Sequence, residues 1–304
     1  MEYHRPVLLQ ESVEAMAIKQ GGVYVDVTFG GGGHSALILS RLTSGKLYGF
    51  DQDRDAAEQA ARLAGPNFEF VRANFRDLKK YLRLYGVKQV DAVLADLGVS
   101  SHQFNVPERG FSTRFDGPLD MRMNPEAGIT AKEVLETYSE EQLHRIFGMY
   151  GEVKNAKTLA RTIVEKRARQ PFATISEFKQ GISSCTPKGK ENKYLAQVFQ
   201  ALRIEVNDEM KALEEMLEQA TEVLKPGGRL VVISYHSLED RLVKNFIAKG
   251  RFFGEVEKDL FGNELKPLEA VTRKPIVPSE QELLDNSRSR SAKLRVAVKR
   301  EKND

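Results

Sequence analysis

Val25-Asp26-Val27-Thr28-Phe29-Gly30-Gly31-Gly32-Gly33-His34 decides the reading of this chain. A short alternating run, Val23 to Thr28, has strand character, and the residues from Ser35 to Leu42 have helical character. Four glycines join them. In an α/β sheet such a junction is where the backbone turns sharply after the first strand and a ligand can approach the main chain closely. Asp51 closes the next strand, Lys46 to Phe50, at the spacing where a carboxylate hydrogen-bonds the hydroxyls of a ribose.

Working outward, the same alternation continues. Arg54 to Leu63 is an Ala-rich helix, Phe68 to Val71 a third strand, Phe75 to Tyr85 a helix and Val90 to Ala95 a fourth strand. Strands alternating with helices imply a parallel sheet covered on both faces. After Asp96 the pattern changes: residues 97–127 show no clear period, and residues 130–203 read as successive helices, at Thr130 to Thr137, Glu140 to Phe147, Asn155 to Arg169, Thr174 to Ile182 and Tyr194 to Val206. The βα pattern resumes with a helix over 208–224, a stop at Lys225-Pro-Gly-Gly228, a buried strand at Arg229 to Ser234, and a last strand at Lys293 to Val298. The expectation is a discontinuous α/β domain, residues 1–101 and 208–304, interrupted by a helical domain over 102–207.

Composition narrows the classes of function. No run of eighteen apolar residues occurs, and the first residues lack the layout of a signal peptide, so a cytoplasmic protein without a membrane span is expected. Cys185 is the single cysteine of the chain, and the five histidines form no HxH or HxxxH pair, so no metal site is expected. Net charge is only +3, but basic groups cluster at Arg161 to Arg169, Lys188 to Lys193 and Arg288 to Arg300. Such clustering suits a polyanionic partner as well as a solvated surface. The absence of a GxSxG elbow argues against a serine hydrolase.

The nucleotide is not fixed by the glycines alone. A dinucleotide loop wants GxGxxG, and counting from Gly30 or Gly31 puts Ser35 or Ala36 at the third position. S-adenosylmethionine carries a ribose and no phosphate, so a looser turn serves it. Asp96, ending the fourth strand, points toward the same crevice, where it can accept from a target amine or cap the turn Leu97 to Ser101. Phe75 can pack on an adenine ring or in the core. His236 can face the crevice, while Ser237 and Asp240 have the spacing of a loose capping box. Gln103 to Met123 interleaves Arg109, Phe111, Arg114, Phe115 and Arg122, the pattern of a segment that holds an unstacked base and adjacent phosphates, or of an interdomain loop. A nucleotide-dependent oxidoreductase would need a proton-handling pair such as Tyr-Lys, which is not found. A non-catalytic RNA-binding protein is the third alternative.

Several longer motifs resemble the RsmH (MraW) family. They are His4-Arg-Pro-Val-Leu-Leu-Gln-Glu11, Asp26 to His34, Asp96-Leu-Gly-Val-Ser-Ser101, Glu108-Arg-Gly-Phe-Ser112, Asp116-Gly-Pro-Leu-Asp-Met-Arg-Met123, Phe199 to Asn207, His236-Ser-Leu-Glu-Asp-Arg241 and Arg288 to Arg295. The resemblance implies a class I methyltransferase (Rossmann-like) sheet domain with an inserted, mostly helical substrate-recognition domain. It implies methyl transfer from S-adenosylmethionine to the exocyclic N4 of a cytidine of 16S rRNA near the decoding centre of the small ribosomal subunit. Cofactor contacts then fall on Gly32, Gly33, His34, Asp51, Phe75, Asp96 and Gln103, and Asp96 is the candidate catalytic carboxylate. Candidate RNA contacts are Arg109, Phe111, Arg114, Arg122, Arg288, Arg290 and Lys293. The chain departs from the family at Val153, where the pattern has Glu, and at Asn192 to Ala196, where it often has His-Pro-Ala-Thr-Arg. The oligomeric state, a dimer included, is not legible.

Overall fold

The computed structural model describes residues 6–301, so His4 and Arg5 of the first motif lie outside the described residues. Packing divides the chain into a discontinuous unit, up to Gly98 and again from Met210, and an intervening unit, Val99–Glu209. The division falls before Ser101 because Val99 already packs against the core of the intervening unit.

The first unit is α/β, as the alternation of strands and helices predicts. It opens with α1 (Leu9–Ala15), β1 (Val23–Asp26), α2 (Gly33–Ser40), β2 (Lys46–Asp51), α3 (Arg54–Ala61), β3 (Phe68–Arg72), α4 (Leu78–Leu84) and β4 (Val90–Asp96). The intervening unit carries α5 (Ser101–Asn105), α6 (Ala131–Thr137), α7 (Glu140–Met149), α8 (Ala156–Arg167), α9 (Ile175–Gly181) and α10 (Glu191–Asn207). The chain returns through α11 (Glu209–Val223), β5 (Leu224–Ser234), α12 (Ser237–Lys249), β6 (Leu268–Ala270), α13 (Glu280–Asp285) and β7 (Lys293–Lys299).

The seven strands form one sheet in the order β3-β2-β1-β4-β5-β7-β6. The first five run parallel, and β7 is antiparallel to both β5 and β6. Side chains alternate between the two faces. Val93, Leu230 and Val232 enter one core with Leu213, Leu217 and Phe246, while Leu94, Val231 and Ile233 enter the other with Val13, Ile38 and Leu47. Burial on both faces is why the middle of β4, Ala92 to Ala95, and the end of β5, Leu230 to Ile233, read as continuous apolar runs. In α11 the buried Leu213, Met216, Leu217 and Ala220 recur at helical spacing.

The stop expected at Lys225-Pro-Gly-Gly228 ends α11 at Val223, but the next strand already begins at Leu224 and not at Arg229. The strand runs from Leu224, paired with Val90, to Arg229, paired with Ala92. The extra residues bulge out, with Gly227 at φ +77, so the strand loses register but not continuity. Helix α1 and strand β6 were not legible either. Each is short, and β6 buries only Leu268.

The intervening unit packs its helices around Leu135, Phe147, Leu159, Ile163, Phe178, Phe199 and Leu202. Capping boxes start four helices, Ser100/Gln103 for α5, Thr130/Glu133 for α6, Ser139/Gln142 for α7 and Thr174/Glu177 for α9. Residues 97–127, without a period in sequence, hold α5 and one 3-10 turn, Pro107–Arg109. Among the described residues no helix is long and apolar enough to cross a membrane.

Candidate active site

Three carboxylates stand at the carboxyl ends of β1, β2 and β4, where open α/β sheets place their ligands. Asp26 is buried and organises the glycine loop. It accepts from Ser35 Oγ at 2.7 Å and Thr28 N at 3.1 Å, and burial pushes its pKa up. The chain then turns through Gly32, which caps α2 at φ +78. A Cβ there would lie 2.8 Å from Phe29 Cζ, so both the left-handed backbone and the packing require glycine.

Asp51 closes the other side of this loop. Its Oδ2 accepts from Gly30 N at 2.8 Å and its Oδ1 from Asp53 N at 2.9 Å. Burial raises its pKa to about 6 against the opposing pull of these two N–H donors. Each oxygen keeps a second acceptor site, because a carboxylate has about four. The expected place of Asp51 at the end of the second strand is the observed one. Phe75 begins a 3-10 turn capped by Asn74, half-buried against the core next to β3.

Asp96 is the most constrained member. Its backbone N–H donates to Thr28 Oγ1 at 2.6 Å, and its Oδ1 accepts from Tyr235 Oη at 2.6 Å. Its Oδ2 lies 3.8 Å from His34 Nδ1. Burial raises the Asp96 pKa to about 6; His34 and the Tyr235 hydroxyl oppose this, and Asp26 and Glu239 add to it. His34 is itself buried, with Nε2 3.2 Å from the Val7 carbonyl. A carbonyl only accepts, so Nε2 turns a hydrogen toward Val7.

Tyr235 and Glu239 were missed in sequence. They sit within the Ser234 to Arg241 stretch, where attention fell on His236, Ser237 and Asp240. The capping box is His236/Glu239, not Ser237/Asp240: the first turn of α12 begins one residue earlier than a serine cap would place it. Glu239 Oε2 also accepts from Tyr235 N at 2.9 Å. Asp240 instead holds Arg295 at 2.7 Å and Lys293 at 3.3 Å, which keeps its carboxyl below the usual range despite burial.

The other candidates fall elsewhere. Gln103 belongs to the intervening unit, where its buried side chain accepts from Ser100 N in a capping box. Phe111 is buried in that unit's core, so it cannot offer a face to a base. Arg109 donates to the Arg122 and Met123 carbonyls at 3.0 Å, and Arg122 forms a two-pronged pair with Asp120 at 2.9 and 2.8 Å. These two arginines tie the segment to itself. Arg114 is exposed, with its guanidinium over the Phe104 ring, and Phe115 is exposed beside it. Arg288 and Arg290 sit not in a loop but on a 3-10 turn, Ser287–Ser291, anchored by buried Ser289, and Lys293 starts β7.

The donor set suits some ligands and repels others. Clustered carboxylates attract a cation and accept from hydroxyls or amines, and they repel the pyrophosphate of a dinucleotide. Asp26 helps to raise the pKa of both Asp51 and Asp96, so the three already feel one another's charge.

The sequence model of the MraW methylase family matches residues 1–300. Ribosomal RNA small subunit methyltransferase H of Cytophaga hutchinsonii is 59% identical over 295 residues, covering 97% of this chain and 99% of that protein. The protein of the same name from Bacteroides thetaiotaomicron is 58% identical, covering 99% of this chain and 98% of its own. Among solved structures, an rRNA methylase from Streptococcus thermophilus aligns with 99% of each chain at 14% identity and a TM-score of 0.42. A methyltransferase from Streptococcus mutans in complex with SAH aligns with 98% of this chain and 99% of its own at 15% identity and a TM-score of 0.41.

Proposed function

The chain belongs to the MraW methylase family, and from that premise we propose that it methylates the exocyclic N4 of one cytidine of 16S rRNA near the decoding centre of the small ribosomal subunit, in the cytoplasm. The broader statement is plain: it is an S-adenosylmethionine-dependent rRNA methyltransferase. The observation that carries the finer reading is the convergence of the glycine loop, Asp51 and Asp96 at the carboxyl ends of β1, β2 and β4.

S-adenosylmethionine supplies an electrophilic methyl group on a sulfonium. The residues that would hold it are Gly32 and Gly33 at the turn, His34 beneath it, Asp51 toward the ribose hydroxyls and Phe75 toward the adenine. Gln103 instead spends its side chain in the cap of α5. The carboxylates of Asp26 and Asp96 favour the positive charge over the neutral product.

The amine of cytosine is a poor nucleophile because its lone pair is delocalised into the ring. Asp96, accepting from one N–H, draws the nitrogen toward tetrahedral geometry, and the main chain at Leu97 to Ser100 offers a second acceptor. As the N4–methyl bond forms and the sulfur–methyl bond breaks, N4 becomes positive and must lose a proton. Asp96, with a pKa raised to about 6, is suited to take it. Alignment of the reacting atoms can contribute about 7–11 kcal/mol of barrier reduction. Extracting the base from its stack costs a few kcal/mol. Arg114, Arg288, Arg290 and Lys293 are the surface cations assigned to the RNA backbone, with Arg109, Phe111 and Arg122 shaping the intervening unit instead.

Incubation with labelled S-adenosylmethionine and small subunits lacking the modification, followed by mapping of the label, tests this reading. Label on a cytidine N4 in the decoding region is expected, and label on another base or on protein overturns it. Calorimetric titration should show binding of S-adenosylmethionine and none of NADH; the reverse would return the crevice to an oxidoreductase. RNA bound equally well by a protein that never transfers label would favour a non-catalytic binder.

A further inference from the structure

We propose that Tyr235 is a positioning residue for the reaction: by donating its hydroxyl to Asp96 Oδ1 at 2.6 Å, it fixes the carboxylate so that the second oxygen is the one left to the incoming amine. The inference rests on the reading of Asp96 as the acceptor of the target amine.

Tyr235 is held at three points. Its backbone N–H donates to Glu239 Oε2 at 2.9 Å, and Glu239 is buried in the capping box of α12. Its ring packs on the sheet core that contains Ile233 and Leu294. The ring also lies against Gly98: a Cβ there would stand 3.5 Å from Tyr235 Cδ2, and Gly98 has φ +97, a backbone that side chains resist. The ends of the two strands are tied together as well, since Leu97 N donates to Ile233 O at 2.9 Å. A phenol so constrained has no other direction in which to aim its hydroxyl without losing Asp96.

The geometry around the carboxylate is asymmetric. Oδ1 takes the phenol hydrogen at 2.6 Å, while Oδ2 lies 3.8 Å from His34 Nδ1, beyond hydrogen-bond distance. An amine donor therefore finds Oδ2 the more open acceptor, because Tyr235 already occupies one of the two sites on Oδ1. The titratable groups facing Asp96 are His34 from α2, Asp26 from β1, Glu239 from α12 and Tyr235 itself. Two of these are acids that disfavour the carboxylate, so the hydroxyl of Tyr235 acts against them. Its own pKa is pushed well up by burial and by Asp96, which keeps it a donor throughout the working range.

Tyr235→Phe keeps the ring and removes the donor. Single-turnover methylation of small subunits lacking the modification, at saturating S-adenosylmethionine and across about pH 5.5 to 8.5, reads the effect. The rate should fall about tenfold near neutrality, with its acidic limb moved up by about one pH unit. Calorimetric affinity for S-adenosylmethionine should stay within about twofold. In the protein alone, carbon NMR of the Asp96 carboxyl should show the same upward displacement, and an unmoved titration would overturn the proposal without recourse to activity. The double variant Asp96→Asn, Tyr235→Phe should be no slower than Asp96→Asn, because Tyr235 acts through Asp96. A further independent loss, or a Tyr235→Phe profile identical to the parent's, refutes the positioning role and leaves Asp96 standing. Parental rates in Asp96→Asn would instead remove the Asp96 reading, and Tyr235 with it.

Discussion

Replacing Asp96 by asparagine should make the protein more stable and much slower, and the two effects come from the same buried charge. The carboxyl titrates at about 6 in the fold against an ordinary value of 3.8. A raised folded pKa means that the contribution of this group to stability is complete below the unfolded value and is lost as pH rises through about 6. At neutral pH the ionised carboxylate therefore costs at most about 3 kcal/mol relative to a neutral group in the same place. Asparagine fits that place: its Oδ1 can take the Tyr235 hydrogen, and its amide nitrogen occupies the volume of the second oxygen. Thermal and urea melts of the apoprotein should put the variant about 2 kcal/mol above the parent at pH near 7.5, or about 3 °C in Tm, and level with it near pH 4. In the same variant the saturated single-turnover rate should drop at least about a hundredfold, the range for a positioned electrostatic group, while cofactor affinity changes much less. A variant that melts below the parent at neutral pH, or a gap that persists in acid, would refute the assignment of a costly buried carboxylate. Collapse of affinity with survival of the saturated rate would make Asp96 a cofactor anchor and nothing more.

The other expectations follow from neighbouring geometry. Asp51→Ala removes the partner of the Gly30 and Asp53 amides as well as the ribose acceptor, and calorimetry should show a loss of about 1.5–3 kcal/mol in S-adenosylmethionine affinity; in the parent the affinity should decline as pH falls through about 6, where Asp51 takes up a proton. Gly32→Ala forces a Cβ onto Phe29 at a left-handed backbone position, and should lower stability by about 1–3 kcal/mol in a thermal melt. Alanine at Arg288 and Arg290 should lower the salt slope of RNA binding by about two, while adding Lys293→Ala should change it less, because Lys293 is already paired with Asp240; an unaltered slope would move the contacts elsewhere. S-adenosylmethionine should bind several-fold more tightly than its neutral product at pH near 7.5, with the preference shrinking toward pH 5 as Asp96 is neutralised; a preference indifferent to pH would separate the sulfonium from this carboxylate.

The sheet was legible because its physics is local. Ala92 to Ala95 and Leu230 to Ile233 are apolar without interruption, as strands covered on both faces are. The glycine run between β1 and α2 fixes the turn, and the spacing to Asp51 fixes the next strand end. Lys225-Pro-Gly-Gly228 marks the end of α11 but hides the early start of β5, for an equally local reason. The same residues that end a chain segment also let a strand bulge, and only the pairing of Leu224 with Val90 distinguishes the two. Strand β6 was invisible because its three residues gain strand character from β7, not from themselves.

The candidate site divides along the same line. Asp51 and Asp96 could be placed because position at a strand end is a property of the strand. What a polar side chain then touches is settled by residues far away in sequence. Arg109 and Arg122 have the composition of an RNA-binding segment, yet their hydrogen bonds run to carbonyls and to Asp120 within their own unit. Phe111 looks in sequence like a stacking platform and is a core residue. Histidine is not a preferred helix cap, so a serine next to it drew the assignment, and the buried Glu239 that completes the box with His236 was overlooked. That misplacement hid Tyr235, because the role of Glu239 at the Tyr235 amide is what turns the phenol toward Asp96. The carboxylate that the strand delivers to the crevice is thus oriented by a turn on the neighbouring strand, and pairing of β4 with β5 is the step that brings the two together.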